Sequence, residues 1–146
     1  MAKVNKLIRR YNEWGWKYFL IDLFENKVKY KYSQYIPGEL AMKKMVDDFI
    51  FNSVIDIGCG EGAASKFFTE HGKCVTACDY GRSVHFENFM AENVIIGDFN
   101  QMEFKHQYDA VWCSHILEHQ MDVQYFLTKI NRLLAEGAYL ELQYKG

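Results

Sequence analysis

Short apolar segments alternate with amphipathic helical segments along most of the chain after residue 50. The apolar segments are rich in β-branched residues and are short, so they predict buried strands. Strands that alternate with helices require a parallel sheet with right-handed crossover connections, which is an α/β fold. The predicted strands cover residues 54–57, 74–78, 94–96, 110–113 and 138–142.

The segments between these strands carry recognisable helix boundaries. The first predicted helix ends near His71-Gly72, where the glycine stops it. Ser83 is the expected N-cap of a second helix that reaches about residue 91. Asp122 is expected to cap a third helix, which we expect Gly137 to end. The apolar positions of this third helix follow helical spacing and are Val123, Phe126, Leu127, Ile130, Leu133 and Leu134.

Residues 1–50 form a different region, which we interpret as an N-terminal helical or cap segment ahead of a core at 51–146. Its aromatic and apolar residues recur at roughly helical spacing, and residues 27–32 alternate like a short strand or an extended arm. After Pro37 a helical stripe leads into the first strand. Two roles stay open for this segment: a lid over a substrate, or a cover for one face of the sheet.

The composition of the 146 residues is that of one ordinary globular domain, with 49% apolar and 25% charged residues. The formal net charge of −2 gives no reason to expect a nucleic acid or an acidic membrane as partner. No cleavable leader and no apolar run of membrane-spanning length stand out in the sequence. The four cysteines form no C-x-x-C pair, which suits a reducing compartment, so we expect a cytoplasmic location.

Three glycines follow the first predicted strand at every second position: Gly58, Gly60 and Gly62. Glycines between a strand and a helix let the turn tighten and let a ligand lie on the backbone. The same residues satisfy the loose pattern G-x-G-x-x-A, so a nicotinamide or flavin cofactor stays open on the glycines alone. Asp56, just ahead of the turn, is expected to accept a hydrogen bond from a cationic or amino-bearing ligand.

The ends of the predicted strands carry most of the candidate chemistry. In a parallel sheet, ligands bind at the carboxyl ends of the strands, close to the switch point. Here those ends carry Asp56 with the glycine turn, Asp79, Asp98 and the segment 114–119. Three acidic side chains at one rim suit a ligand rich in hydroxyl and amino groups.

The string Asp56-x-Gly58-x-Gly60-x-Gly62 resembles motif I of the class I S-adenosylmethionine-dependent methyltransferases. The resemblance runs from about residue 54 to residue 142. It implies a Rossmann-like, doubly wound parallel sheet in three layers, here C-terminally shortened and preceded by the N-terminal helical segment. It also implies S-adenosyl-L-methionine as the cofactor.

The resemblance also assigns roles to the strand-end residues. Asp79 is expected to hold both ribose hydroxyls, since its two oxygens can each accept one O–H. Tyr80 is expected to lie against the adenine, and Asp98 to accept its amino group, with the Phe99 backbone beside it. The cofactor-binding residues that we predict are Asp56, Gly58, Cys59, Gly60, Gly62, Asp79, Tyr80, Asp98, Phe99 and Ser114.

The segment 114–119 contains Leu117-Glu118-His119 and resembles the subgroup that includes ubiquinone-biosynthesis O-methyltransferases and many sugar or small-metabolite methyltransferases. It implies O-methylation of a small-molecule acceptor, such as a sugar or a phenolic metabolite. An oxygen acceptor has to lose its proton, and His115 and His119 are the candidate catalytic bases. Either histidine alternatively packs or hydrogen-bonds within the loop.

A metal site is an alternative reading of the same segment, because some relatives bind a divalent ion through E-x-x-E-H and this chain has His115-x-x-Glu118-His119. Two helical neighbours and a third group do not define a metal site, so we predict none.

The chain departs from this family at its end. Members normally carry two further strands after the fifth, so we expect the fifth strand here to be an unpaired edge through which copies of the chain associate. Two rival functions therefore stay open. One is a non-catalytic cofactor-binding module that needs a partner, and the other is a nicotinamide-dependent oxidoreductase.

Overall fold

The computed structural model describes residues 38–81 and 93–143. The helices in these ranges are α1 (Gly38–Asp48), α2 (Ala63–Glu70) and α3 (Val123–Leu133), with a short 3-10 helix at Leu117–His119. The strands are β1 (Ser53–Ile57), β2 (Cys74–Asp79), β3 (Asn93–Ile96), β4 (Tyr108–Ser114) and β5 (Leu134–Gln143). Our predictions for residues 1–37 and for a helix at 83–91 lie outside the described residues, and the division at residue 50 stays a prediction.

The strands form one sheet in the order β3-β2-β1-β4-β5, and every neighbouring pair is parallel. β1 lies in the middle, so the chain leaves the centre of the sheet toward one edge and then toward the other. This reversal produces a switch point at the carboxyl end of β1, where the glycine turn begins. The predicted Rossmann-like parallel sheet is confirmed.

Helices cover both faces of the sheet. On one face, Val54 and Trp112 pack in a cluster with residues of α1 and α2. On the other face, Ile55 and Val111 pack in a cluster with residues of α3. Successive strand residues point to opposite faces, so each apolar strand serves both clusters. The three layers predicted for the domain are therefore present.

The third helix begins as predicted but ends earlier. Oδ1 of Asp122 accepts a hydrogen bond from the Tyr125 amide at 2.8 Å, which confirms the cap. The helix ends at Leu133, because Leu134 is extended, fully buried and paired with Tyr108. The eleven residues of α3, with a helical rise of about 1.5 Å each, already return the chain to the start of β4. Gly137 therefore does not end the helix; that prediction is wrong.

Gly137 lies inside β5, with φ of 78°, at the place where the pairing of β4 with β5 changes register. The predicted strand at 138–142 is confirmed, and it starts earlier than expected, at Leu134.

β5 is an outer strand of the described sheet and pairs with β4 alone. Association of copies through this edge stays a prediction. None of the helices at 38–81 and 93–143 combines the length and apolar character needed to cross a membrane. Cys59, Cys78 and Cys113 are buried and Cys74 is exposed, and none of the four forms a disulfide within the described residues.

Candidate functional site

The glycine turn leaves β1 and is closed by backbone hydrogen bonds. The amides of Gly58 and Cys59 both donate to the carbonyl of Cys78, at 2.8 and 3.1 Å. The three glycines have φ of 75°, 53° and 83°, a left-handed conformation that other residues adopt only at a cost. The Gly62 amide donates to the Cys59 carbonyl at 2.8 Å, and α2 starts directly afterwards.

Two of these glycines have different surroundings. A Cβ placed on Gly58 would lie 2.2 Å from Cγ1 of Ile116, so this glycine is tightly packed. A Cβ placed on Gly60 would meet no atom of residues 38–81 and 93–143 within 4 Å. The turn is therefore closed on the side of Gly58 and open at Gly60, where a ligand can approach the backbone.

Asp79 ends β2 and lies directly at the glycine turn. Its Oδ2 accepts a hydrogen bond from the Gly60 amide at 2.7 Å, and its Oδ1 accepts one from the Gly81 amide at 3.3 Å. Tyr80, the next residue, has 80% of its surface exposed. The fold thus brings the Asp79 carboxylate to the open part of the turn, and the exposed Tyr80 follows it directly in the chain.

Asp98 follows β3 on the next loop of the rim. The Gly97 amide donates to the Asp79 carbonyl at 2.8 Å, so the two loops are adjacent. Oδ1 of Asp98 accepts a hydrogen bond from the Asn100 amide at 2.9 Å. The Phe99 side chain is buried and packs edge-on against Phe126, with 5.3 Å between ring centroids. The backbone of Phe99, rather than its side chain, is therefore available to a ligand.

Asp56 has a different environment from the other two aspartates. Strand alternation directs its side chain to the face that α2 covers, where it is 2% exposed and accepts a hydrogen bond from the Ser65 hydroxyl. Burial raises the pKa of Asp56 to about 6, although the Ser65 hydrogen bond acts in the opposite direction. The carboxylate thus lies beneath the turn, and its role toward a ligand stays a prediction.

Two cysteines border the turn. Burial, with the nearby charges of Asp56 and Asp79, raises the pKa of Cys59 to about 12. Burial, followed by the same two charges, also raises the pKa of Cys78 to about 12. Both thiols are therefore neutral near pH 7 and serve as small apolar residues rather than nucleophiles.

His115 directly follows β4 and has an unusual backbone. Its φ of 55° is the only positive value at a residue other than glycine within 38–81 and 93–143. Its amide donates to the Gln143 carbonyl at 2.7 Å, and the Ser114 hydroxyl donates to Oε1 of Gln143 at 3.4 Å. Strained backbone of this kind is concentrated at functional sites.

The His115 ring lies beside a carboxylate. Its Nδ1 is 3.4 Å from Oε1 of Glu118, and 45% of the His115 side chain is exposed. His119 lies at the end of the 3-10 helix, exposed, and its amide donates to the Ile116 carbonyl at 3.0 Å. Within the described ranges no group of three His, Cys, Asp or Glu side chains is arranged to hold a metal ion.

Sequence reasoning missed four polar residues around the site: Ser65, Asn100, Gln120 and Gln143. Ser65 is bonded to Asp56, Gln143 lies behind Ser114 and His115, and Asn100 is bonded to Gln120. Each of these pairs joins residues that are distant in sequence or belong to different elements. No local spacing marks such a pair, so nothing in the sequence pattern distinguishes these residues from ordinary surface polar residues.

Comparison with known protein families places the site in context. Residues 55–142 match a family described as a methyltransferase domain. The chain is 30% identical to a ubiquinone biosynthesis O-methyltransferase of Rickettsia bellii, over 66% of this chain and 43% of that protein. It is also 30% identical to the enzyme of the same name from Pseudomonas aeruginosa, over 61% of this chain and 42% of that protein. The chain thus spans less than half the length of these curated relatives.

Solved structures show the same fold. An S-adenosylmethionine-bound amino pentose methyltransferase from Micromonospora echinaspora has a TM-score of 0.64 and 16% identity, over 80% of this chain and 60% of that one. A 1,6-didemethyltoxoflavin-N1-methyltransferase from Burkholderia thailandensis, solved with S-adenosylhomocysteine, has a TM-score of 0.58 and 19% identity. It covers 72% of this chain and 52% of the Burkholderia chain.

Proposed function

This chain belongs to the methyltransferase domain family, and on that premise we propose that it binds S-adenosyl-L-methionine and transfers its methyl group to a small molecule. The observation that carries the proposal is the contact between Asp79 and Gly60. It joins the acidic end of β2 to the open part of the glycine turn at 2.7 Å. A diol-binding carboxylate and a backbone surface without side chains therefore lie together at the switch point of the sheet.

The residues at this rim fit the cofactor's chemistry. The Asp79 carboxylate has acceptor sites beyond the one that the Gly60 amide uses, and ribose offers two O–H donors. The exposed ring of Tyr80 supplies a surface for adenine, and Asp98 an acceptor for its amino group. Gly60 leaves room for the ligand, because no atom in the described part of the chain lies within 4 Å of the position of a Cβ.

When bound, the cofactor supplies an electrophilic methyl group on a sulfonium. The chain's contribution is to hold the acceptor in line with that methyl group, and positioning alone lowers the barrier of such a reaction substantially. His115 is proposed to remove the proton from an acceptor hydroxyl, since it stands at the end of β4 with a half-exposed ring. Glu118, 3.4 Å from Nδ1, would orient the ring and stabilise the imidazolium that forms.

The proposed acceptor is a hydroxyl group of a sugar or a phenolic metabolite. The names of the curated relatives, ubiquinone biosynthesis O-methyltransferases, support an oxygen acceptor. The names of solved neighbours also include nitrogen acceptors, as in the Burkholderia enzyme. A histidine base serves oxygen in particular, because a hydroxyl has to be deprotonated before or during attack.

One rival keeps specific support: a cofactor-binding module that depends on a partner for catalysis. The match covers 43% of the Rickettsia relative, so it extends over less than half of that O-methyltransferase. Size-exclusion chromatography with a cofactor titration separates the two functions. A module binds the cofactor but methylates no acceptor unless the partner is added, whereas an enzyme turns over alone.

The proposal is tested by calorimetric titration with S-adenosylhomocysteine. Wild-type protein is expected to bind, and Gly60→Val to lose binding, because the side chain would fill the ligand's space. Gly72→Val is a matched control, since Gly72 also has positive φ and open surroundings but lies between α2 and β2. Normal binding by folded Gly60→Val would contradict the proposal, and binding of NAD(H) instead would support the oxidoreductase.

A further inference from the structure

Two side-chain amides join the loop after β3 to the segment after β4. Nδ2 of Asn100 donates to Oε1 of Gln120 at 2.9 Å, and Nε2 of Gln120 donates to the Ile116 carbonyl at 3.3 Å. Asn100 lies two residues after Asp98, and Gln120 follows His119 directly. The amide pair thus connects the loop that carries the candidate adenine acceptor with the segment that carries the candidate bases.

The connection continues to the glycine turn. The Ile116 side chain packs on Gly58 so closely that a Cβ there would lie 2.2 Å from Cγ1. Loops at the ends of β1, β3 and β4 are therefore in contact through Asn100, Gln120, Ile116 and Gly58. A ligand that touches all three loops would depend on their relative placement.

Backbone atoms of Asn100 also anchor the β3 loop, in addition to the side-chain bond to Gln120. The Asn100 carbonyl accepts hydrogen bonds from the Tyr125 hydroxyl at 3.1 Å and from Nζ of Lys129 at 2.8 Å. The backbone N–H of Asn100 donates to Oδ1 of Asp98 at 2.9 Å. All three bonds use backbone atoms of Asn100, so any residue at this position would keep them.

The Asn100 side chain also carries a cost. Its Oδ1 is buried, and no group in the described parts of the chain forms a hydrogen bond to it. A buried acceptor without a partner lowers stability, so an apolar residue would be the more stable choice for anchoring alone. The Asn100 side chain forms a hydrogen bond from Nδ2 to Gln120, a contact that an apolar residue could not make.

We propose that Asn100 and Gln120 are positioning residues that set the carboxylate of Asp98 for the adenine amino group, an inference that rests on the proposed function. The Asn100 backbone N–H holds one oxygen of Asp98, and its side chain is held by Gln120. Any rotation of the turn at 98–100 therefore moves the Asp98 carboxylate and, at the same time, strains the hydrogen bond between Asn100 and Gln120. Binding selectivity for adenine depends on this bridge.

The test compares S-adenosylhomocysteine with S-inosylhomocysteine, in which oxygen replaces the adenine amino group. Wild-type protein is expected to prefer the adenine ligand by about tenfold or more, the effect of a hydrogen bond to a charged group. In Asn100→Ala and in Gln120→Ala this preference is expected to fall by about 3- to 10-fold, with the inosine ligand affected less. The double variant is expected to lose no more than either single variant, because all three lack the same bond.

Gln101→Ala is the matched control, since the Gln101 side chain is an exposed amide in the same loop. This variant should prefer the adenine ligand over the inosine ligand as strongly as the wild type does. Unchanged preference in both single variants would overturn the positioning role. Equal weakening of both ligands would also overturn it, because a loss of stability alone does not discriminate between bases. Failure of the wild type to bind S-adenosylhomocysteine would instead refute the proposed function, and the inference with it.

Discussion

Gly58 in the turn after β1 and Ile116 in the segment after β4 are in direct contact across neighbouring strands. A Cβ on Gly58 would lie 2.2 Å from Cγ1 and 2.4 Å from Cδ1 of Ile116. The φ of Gly58 is 75°, so the position requires glycine for two reasons, one conformational and one steric. The Ile116 side chain thereby links the glycine turn to the segment that carries the candidate bases.

Gly58→Ala is expected to lower the free energy of unfolding by about 2–4 kcal/mol, the sum of a left-handed alanine and an overpacked contact. Ile116→Ala in the same protein removes the overlap but not the conformational cost. The double variant should therefore be more stable than the sum of the single changes predicts, by about 1 kcal/mol or more. Urea denaturation of the four proteins measures these free energies of unfolding. Strict additivity would show that an alanine at position 58 does not clash with Ile116.

Asp79 is expected to account for recognition of the ribose hydroxyls. Asp79→Ala should weaken S-adenosylhomocysteine binding by about 1.5–3 kcal/mol, as for loss of hydrogen bonds to a charged group. Calorimetry with the 2′-deoxy analogue provides the specific readout, since the mutant should no longer distinguish the two ligands. Asp79→Asn is the control, because its amide oxygen can still accept from the Gly60 amide. Equal discrimination by wild type and Asp79→Ala would assign the ribose to another residue.

Asp56 is expected to make stability depend on pH. Its pKa rises from 3.8 to about 6 on folding, so the folded protein binds the proton more tightly than the unfolded chain. The stability of the wild type therefore decreases as pH rises from about 4 to about 6, by up to about 3 kcal/mol. Asp56→Asn lacks this loss, so its advantage over the wild type should grow between pH 4 and pH 7 in urea unfolding.

Asp109 is expected to have the opposite effect on the pH dependence of stability. Its Oδ2 accepts hydrogen bonds from the amides of Asn52 and Ser53, and its pKa is lowered chiefly by the Ser53 amide. Its contribution is present above its unfolded pKa and is lost as pH falls through the folded value. The stability of Asp109→Asn relative to the wild type should therefore fall as pH rises. A difference between Asp56→Asn and wild type that stays constant with pH would show that folding does not raise the pKa of Asp56.

His115 is expected to act on the chemical step and His119 on the acceptor. Replacing a general base typically costs about 10²- to 10⁴-fold in rate, so His115→Asn should reduce kcat by this factor and leave S-adenosylhomocysteine affinity unchanged. Asparagine is chosen because it tolerates the positive φ of this position. His119→Ala should mainly raise the KM for the acceptor, which is first found by screening nucleotide sugars and small phenols. Wild-type turnover of His115→Asn across the pH range would restrict His115 to positioning.

Local sequence patterns were sufficient to predict the strands and their parallel arrangement, and to propose a ligand site at the carboxyl ends of the strands. These features depend on local patterns: apolar runs such as 54–57, a capped helix at Asp122, and glycines where φ must be positive. Because each element is encoded by its own residues, the local patterns were sufficient to predict that Asp79 and Asp98 lie at strand ends.

The contacts between side chains of different elements could not be predicted from local sequence patterns. Asp56 contacts Ser65 because strand alternation directs it toward α2, and Gly137 lies within β5 because burial of Leu134 ends α3 early. The contact of Gly58 with Ile116 and the bond of Asn100 to Gln120 also join separate loops. Such contacts depend on the register of neighbouring strands and on the return path of α3, which are properties of the packed sheet and have no local sequence pattern.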